Sequence, residues 1–249
     1  MCCFSKPVKS VSNTSIFCRV GAKGYQVVVY SMRLDAGEDL AMILPIPVTT
    51  GSAEDTVKFL DFSAYPGFFE DIEKNFPLPK TYGGPFGEVS RSGELKVNKV
   101  GSFDASFVPT VSDFSRLDER FRLAGDIWQE LPQYADYGFV VFKLRKGSAQ
   151  VHPMGFAFPT GNRSHITFPT VHIHDGKVHK KAGFDHSLYC QSPSTEIATT
   201  WRESAHLAQY SVKCSKASGT VRPEQHIYKK EMKGRLKNED VVIDAATSA

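Results

Sequence analysis

Four histidines and a cysteine crowd into one short window of the 249-residue chain. His172, His174, His179, His186 and Cys190 all fall within FPTVHIHDGKVHKKAGFDHSLYC, residues 168–190. Alternation from Thr170 through Val171, His172 and Ile173 to His174 predicts a half-buried strand. Asp175-Gly176, ahead of Lys177, Val178 and His179, predicts a hairpin with a two-residue turn. In that register His172 faces His179, with Cβ atoms about 4.5–5.5 Å apart, and three imidazoles share one face. Neutral imidazole nitrogens so placed suit a divalent metal, zinc first, and His186 or Cys190 would add a further ligand. With three protein ligands, an open position would activate a water for hydrolysis, and Asp175 and Asp185 are the nearest carboxylates for a supporting or base role. The plainer reading makes this face the solvated side of an amphipathic hairpin that buries Val171, Ile173 and Val178. A one-residue slip would carry His179 to that other side.

A second chemistry sits at the start of the chain. Cys2 follows Met1 and is small enough that removal of the methionine is expected, leaving a thiol beside a free α-amine. Such a pair serves as nucleophile and base in amide hydrolysis or acyl transfer, with Cys3 as the neighbouring candidate. Against this stands the ordinary role of a small buried hydrophobe opening the first strand. A third reading needs no catalysis: a protein-interaction domain whose partner touches a Pro/Gly-rich flap and a basic tail.

The elements that must position these residues are mostly strands. Ser15–Val20 and Tyr25–Met32 are β-branched and aromatic runs separated by Gly21–Gly24. LAMILPIPV, closing on Pro45 and Pro47, reads as a core strand leaving its sheet. Val57–Phe62 predicts a strand, and Pro66–Phe76 a short helix with Phe68, Phe69, Ile72 and Phe76 on one face. Residues 77–93 form a long Pro/Gly loop without a phosphate-binding pattern. Val97–Val108 alternates again, and Ser112–Phe121 predicts a helix. Tyr137–Leu144, Val151–Phe158 and His165–His174 then read as an antiparallel meander. Ser192-Pro193 opens an expected helix through Tyr210, and the segment from Pro223, carrying Lys229, Lys230, Lys233, Arg235 and Lys237, is expected to be helical too. The fold class expected is therefore α+β, a mainly antiparallel β-sheet with short edge helices and a helical C-terminal region. Residues 1–242 would form one domain, and 243–249 a frayed tail.

Composition narrows the function classes. Hydrophobic residues at 41% and charged residues at 23%, with no apolar run near the roughly 20 residues of a membrane helix, describe a globular chain without a membrane span. A net charge of +3 is too small to argue for nucleic acid, and a basic run is ordinarily a solvated face. A small-molecule or peptide substrate fits either chemistry. MCCFSKPVKS lacks the apolar core of a signal peptide and five scattered cysteines fit reduced thiols, so the expected compartment is the cytoplasm.

The order of segments resembles an uncharacterised bacterial family known as domain of unknown function 2330. The likeness lies in Cys3-Phe4, YQVVVYSM, EDLAMILPIPV, FSAYPGFFED, VGSFDASFVP, LPQYADYGFVVFKL and the paired HPMGFAFPT and HITFPTVHI, roughly residues 2–174. Members of that family generally look secreted or envelope-associated, with their first cysteine near a signal-peptide cleavage point. The resemblance implies no established activity, cofactor or catalytic residue.

Overall fold

The computed structural model describes residues 3–21, 24–49, 51–77, 104–192 and 194–245. In chain order, β1 (Cys3–Phe4), β2 (Ser10–Val20), β3 (Tyr25–Ala36), β4 (Leu40–Ile46) and β5 (Lys58–Leu60) precede the helix α1 (Phe68–Glu73). β6 (Ala105–Val108) leads into short 3-10 turns between Val111 and Tyr134. Then come β7 (Gly138–Leu144), β8 (Gly147–Pro159), β9 (His165–Phe168) and β10 (Lys181–Cys190). The chain continues through α2 (Thr195–Thr200), β11 (Arg202–Glu203), β12 (Tyr228–Lys237) and β13 (Val241–Asp244).

The strands form a four-stranded sheet in the order β1-β4-β7-β6, a seven-stranded sheet in the order β11-β12-β10-β2-β3-β8-β5, and the pair β13-β9. Alternation along each strand divides the apolar residues among three layers. Leu40, Met42 and Leu44 of β4 meet Ile16, Val28, Tyr30 and Phe156 of the large sheet in a central core. Their neighbours Ala41 and Ile43 point the other way, onto a cluster with Phe139 of β7 and with Phe114 and Trp128 of the 3-10 turns. A sheet buried on both faces requires an unbroken apolar strand, which is why LAMILPI carries no alternation. Pro45 is tolerated because β1 pairs with β4 only at Met42 and Ile43, leaving the edge open beyond them. On the outer face of the large sheet, Phe17, Val29 and Tyr189 receive α1 through Phe68, Phe69 and Ile72. Burying a phenylalanine such as Phe17 or Phe68 contributes about 1.5–3 kcal/mol, which anchors a helix of only six residues.

The expected α+β architecture with a helical C-terminal region is overturned. The predicted helix from Pro193 to Tyr210 is realised only over Thr195–Thr200, after which Arg202 and Glu203 pair with Lys229 and Tyr228. The segment from Pro223, expected to be helical, becomes β12, in antiparallel register with β10 over ten residues from Lys181↔Lys237 to Cys190↔Tyr228. Its period of two is decided by its neighbour: Met232 packs on the core while Glu231 and Lys233 face outward. Ser112–Phe121 is two 3-10 turns, Val111–Arg116 and Glu119–Phe121, rather than one α-helix. The expected mainly antiparallel pairing is what the strands show, with one parallel contact, of β10 to β2 from His186↔Thr14 to Cys190↔Cys18. Residues 78–93 of the Pro/Gly loop and 97–103 of the alternating run lie outside the described residues. Ile243 and Asp244, placed in the tail by the sequence, belong to β13 and pair with Ile166 and His165 of β9.

Candidate functional site

The histidine hairpin does not form. From Thr170 to Lys180 the chain is a bend, and its one β-bridge among the described residues is the parallel one between Ile173 and Cys3. The Asp175 side chain accepts the Lys177 N–H at 3.1 Å and lies 2.9 Å from His179 Nε2, so Asp175 organises a local turn and holds His179 in the exposed loop. Asn238 fixes the rest. Its Oδ1 accepts the His172 N–H at 2.7 Å, and its Nδ2 donates to the carbonyls of His172 and His179, each at 2.9 Å. Asp240 accepts the N–H groups of Thr170 and Val171 at 2.8 and 3.0 Å and the Tyr134 hydroxyl at 2.8 Å. The loop's backbone is thus satisfied by two side chains from the β12–β13 connection, and it has no call for a hairpin partner.

The structure instead brings together His172, His174 and His186. His172 stacks on His174 with ring centroids 5.1 Å apart and planes at 7°, and on His186 at 5.2 Å and 18°. His172 Nε2 and His186 Nε2 lie 3.4 Å apart. Phe4 closes one end at 5.4 Å from His174, and Phe184 packs on His172 at 4.2 Å. His172 is 4% exposed and His186 not at all. Burial therefore drives both imidazoles far below their ordinary value and holds His174 at about 4, so all three are neutral at physiological pH.

The proposed metal centre is overturned by this arrangement. Among the described residues there is no group of three or more His, Cys, Asp or Glu side chains placed to hold a metal ion. His179 is outside the stack. Cys190 lies four residues along β10 from His186, about 13 Å away at strand spacing, and sits beside Cys18. Both thiols are fully buried and raised by desolvation. The metal-hydrolase reading falls with the hairpin that carried it. Of the two candidate nucleophiles, Cys3 is fully buried in β1, between β4 and Ile173. Cys2 lies outside the described residues.

Sequence reasoning missed a polar groove of about 590 Å³ on the outer face of the large sheet. Its floor is laid by short side chains, Ser15, Ser31 and Ser187, and its wall by Glu70 and Glu73 of α1 and by Tyr189. Two irregularities meet in that floor. β2 shifts register against β3 between Ser12 and Ser15, with Asn13 at φ +52, and β3 shifts against β8 between Tyr30 and Met32. Such bulges bend a sheet and re-aim its side chains. The Asn13 N–H donates to Asp185 Oδ2 at 2.7 Å, tying the bulge to β10. The trace in the sequence was the polar run Ser12-Asn13-Thr14-Ser15 ahead of the apolar Ile16-Phe17-Cys18.

No helix among the described residues is long and apolar enough to cross a membrane. No family model matches the chain, and no curated protein matches it. Solved structures do. The chain is similar to the crystal structure of baculovirus P35, with a TM-score of 0.54 and 14% identity over 98% of this chain and 99% of that one. It is also similar to P35 in the crystal structure of the caspase-8/P35 complex, at 0.49 and 12% over 94% and 96%. A mutated P35 after caspase cleavage matches at 0.49 and 12%, over 94% and 100%. At this identity the likeness is one of architecture: over essentially its whole length the chain has the fold of baculovirus P35.

Proposed function

We propose that this chain is a protein-interaction domain and that its partner is a protease of the caspase class. The observation carrying this reading is the match to P35 along the full length of both chains, because P35 is itself found in a complex with caspase-8. The disposition of reactive groups supports it. The imidazoles of His172, His174 and His186 are stacked in the core, His179 is held by Asp175, and Cys3, Cys18 and Cys190 are enclosed.

The test is direct. Purified chain would be titrated into active caspase-8, with hydrolysis of a tetrapeptide substrate followed alongside size-exclusion chromatography. Loss of activity at near-equimolar chain, with co-elution of the two proteins, is the expected result. Unchanged hydrolysis and separate elution at about ten micromolar of each, repeated with other caspases, would refute the proposal.

A further inference from the structure

Two thiols from distant parts of the chain are brought side by side in the middle of the large sheet. Cys18 of β2 lies opposite Cys190, the last residue of β10, in the parallel register that starts at His186↔Thr14. Both belong to the central core with Ile16 and Leu188, while their neighbours Phe17 and Tyr189 belong to the layer on the other face. The two side chains therefore leave the same face of the sheet. Neighbouring strands lie about 4.8 Å apart, which falls inside the Cα separation of about 4.4–6.8 Å that a disulfide spans. Both residues are free thiols in the structure, and Cys18 Sγ makes only a weak contact to the Thr167 carbonyl, at 3.7 Å.

As small hydrophobes the two residues would need only to be enclosed, and valine or alanine would serve as well. Cysteine at both positions adds a bond that no other pair of side chains supplies. Cys3 lies in the small sheet opposite Ile43 and bridges Ile173, and Cys214 opens a 3-10 turn. Among the described residues, Cys18 and Cys190 are thus the two cysteines that share a ladder. The seam they face across is also the one that joins the β2–β3 hairpin to the C-terminal strands β10, β12 and β11.

We infer that Cys18 and Cys190 form a disulfide site, a covalent staple across the parallel β2/β10 seam, filled when the chain folds in the presence of a small-molecule disulfide such as oxidised glutathione. The chemistry is two successive exchanges. The Cys18 thiolate attacks one sulfur of glutathione disulfide, forming a mixed disulfide and expelling one glutathione thiolate. The Cys190 thiolate then attacks the Cys18 sulfur, forming the bond between the two strands and expelling the second glutathione. Two protein thiols give up two electrons and two protons, and the glutathione disulfide takes them up as two thiols.

Burial sets the timing. Neither thiol is exposed in the finished fold, and desolvation raises both above the ordinary thiol value, so the folded chain holds little thiolate there and admits no glutathione. Exchange belongs to the folding chain, while β10 is reaching β2. Once the core has closed, the bond is shielded from reductants by the same side chains.

The test starts from chain reduced and unfolded in urea, then refolded either with a mixture of oxidised and reduced glutathione or with reduced glutathione alone. Intact mass after alkylation in denaturant counts the thiols, and peptide mapping without reduction locates any link. The expected product of the oxidising mixture has two fewer alkylation sites and one linked pair of peptides, carrying Cys18 and Cys190. Its urea midpoint should exceed that of the reduced form by about 1 M, and its bond should survive dithiothreitol until urea opens the fold. Folded, reduced chain given the same mixture should keep both thiols. Cys190→Ala should lose the link and leave Cys18 to be alkylated in denaturant. Free Cys18 and Cys190 in the refolded parent, a link between other cysteines, or a linked form with an equal or lower midpoint would overturn the assignment. The parent's own peptide map decides it whether or not the variant folds, and no outcome depends on binding to a caspase.

Discussion

Replacing His174 with phenylalanine isolates the energetic consequence of stacking imidazoles in a core. The ring contacts to Phe4 and His172 survive the exchange, and His174 Nε2, which has no hydrogen-bond partner among the described residues, is removed. His174 titrates at about 4 in the folded chain, first because burial disfavours its charged form, with Asp175 partly opposing the shift. In the unfolded chain it returns to about 6.5. The folded value is the lower one, so below pH 6.5 the unfolded chain binds more protons. The stability contribution is therefore fully present above about pH 6.5 and is lost progressively as the pH falls toward 4. Linkage puts the loss between pH 8 and pH 5 at about 2 kcal/mol for one such histidine, and partial exposure of His174 reduces it to about 1–2 kcal/mol. His172 and His186, buried more deeply, each contribute in the same direction. Urea titrations of parent and His174→Phe at pH 8, 6.5, 5.5 and 5 measure this. The variant should match or slightly exceed the parent at pH 8 and outlast it by about 1–2 kcal/mol at pH 5. Parallel stability curves would show that His174 is already solvated in the folded chain and that the argument from burial is wrong.

Other expectations follow from the same contacts. Asn238→Ala leaves the His172 N–H and two carbonyls without their partner and should cost about 2–3 kcal/mol by urea denaturation, while Asn238→Asp should recover part of it. Alkylation with iodoacetamide, mapped by peptide mass, should leave Cys3, Cys18 and Cys190 unmodified in native protein and label Cys214, the half-buried thiol, slowly. Early labelling of Cys18 would contradict its enclosure. Gly155→Ala would bring a Cβ to 2.6 Å from the Phe62 ring and should destabilise the fold by about 1–3 kcal/mol, relieved in part by a Phe62→Leu second change.

How much of this was legible in the residues depended on what decided each element. LAMILPI and YGFVVFKL announced their strands because both faces of the small sheet are covered, a demand that acts on every residue of the run. Phe68, Phe69 and Ile72 announced α1 by their spacing, and Pro66–Phe76 contains the observed Phe68–Glu73. The C-terminal third was misread where local preference and tertiary pairing disagree. Lys229 to Lys237 is rich in good helix formers, yet β10 offers ten residues of ladder, and pairing overrides propensity. The histidine register failed for a local reason, the Asp175 side chain capping its own turn, and for a distant one, Asn238. The groove joins residues from Asn13 to Lys233, so no window of sequence contained it.

The parallel pairing of β10 with β2 also governs the order in which the molecule can be finished. The Asn13 N–H waits for a carboxylate 172 residues further along the chain, and β1 waits for Ile173 before its second flank is covered. At ribosomal speeds of about 5–20 residues per second, the first strands spend roughly 10–30 s exposed before their partners are synthesised. During that interval β2 and β3 can pair with each other, but the edge of β2 that β10 will cover stays open. A nascent chain of this design is most vulnerable to aggregation before residue 190 has cleared the exit tunnel. Its yield should depend on chaperone supply and translation rate more than the stability of the finished fold would suggest.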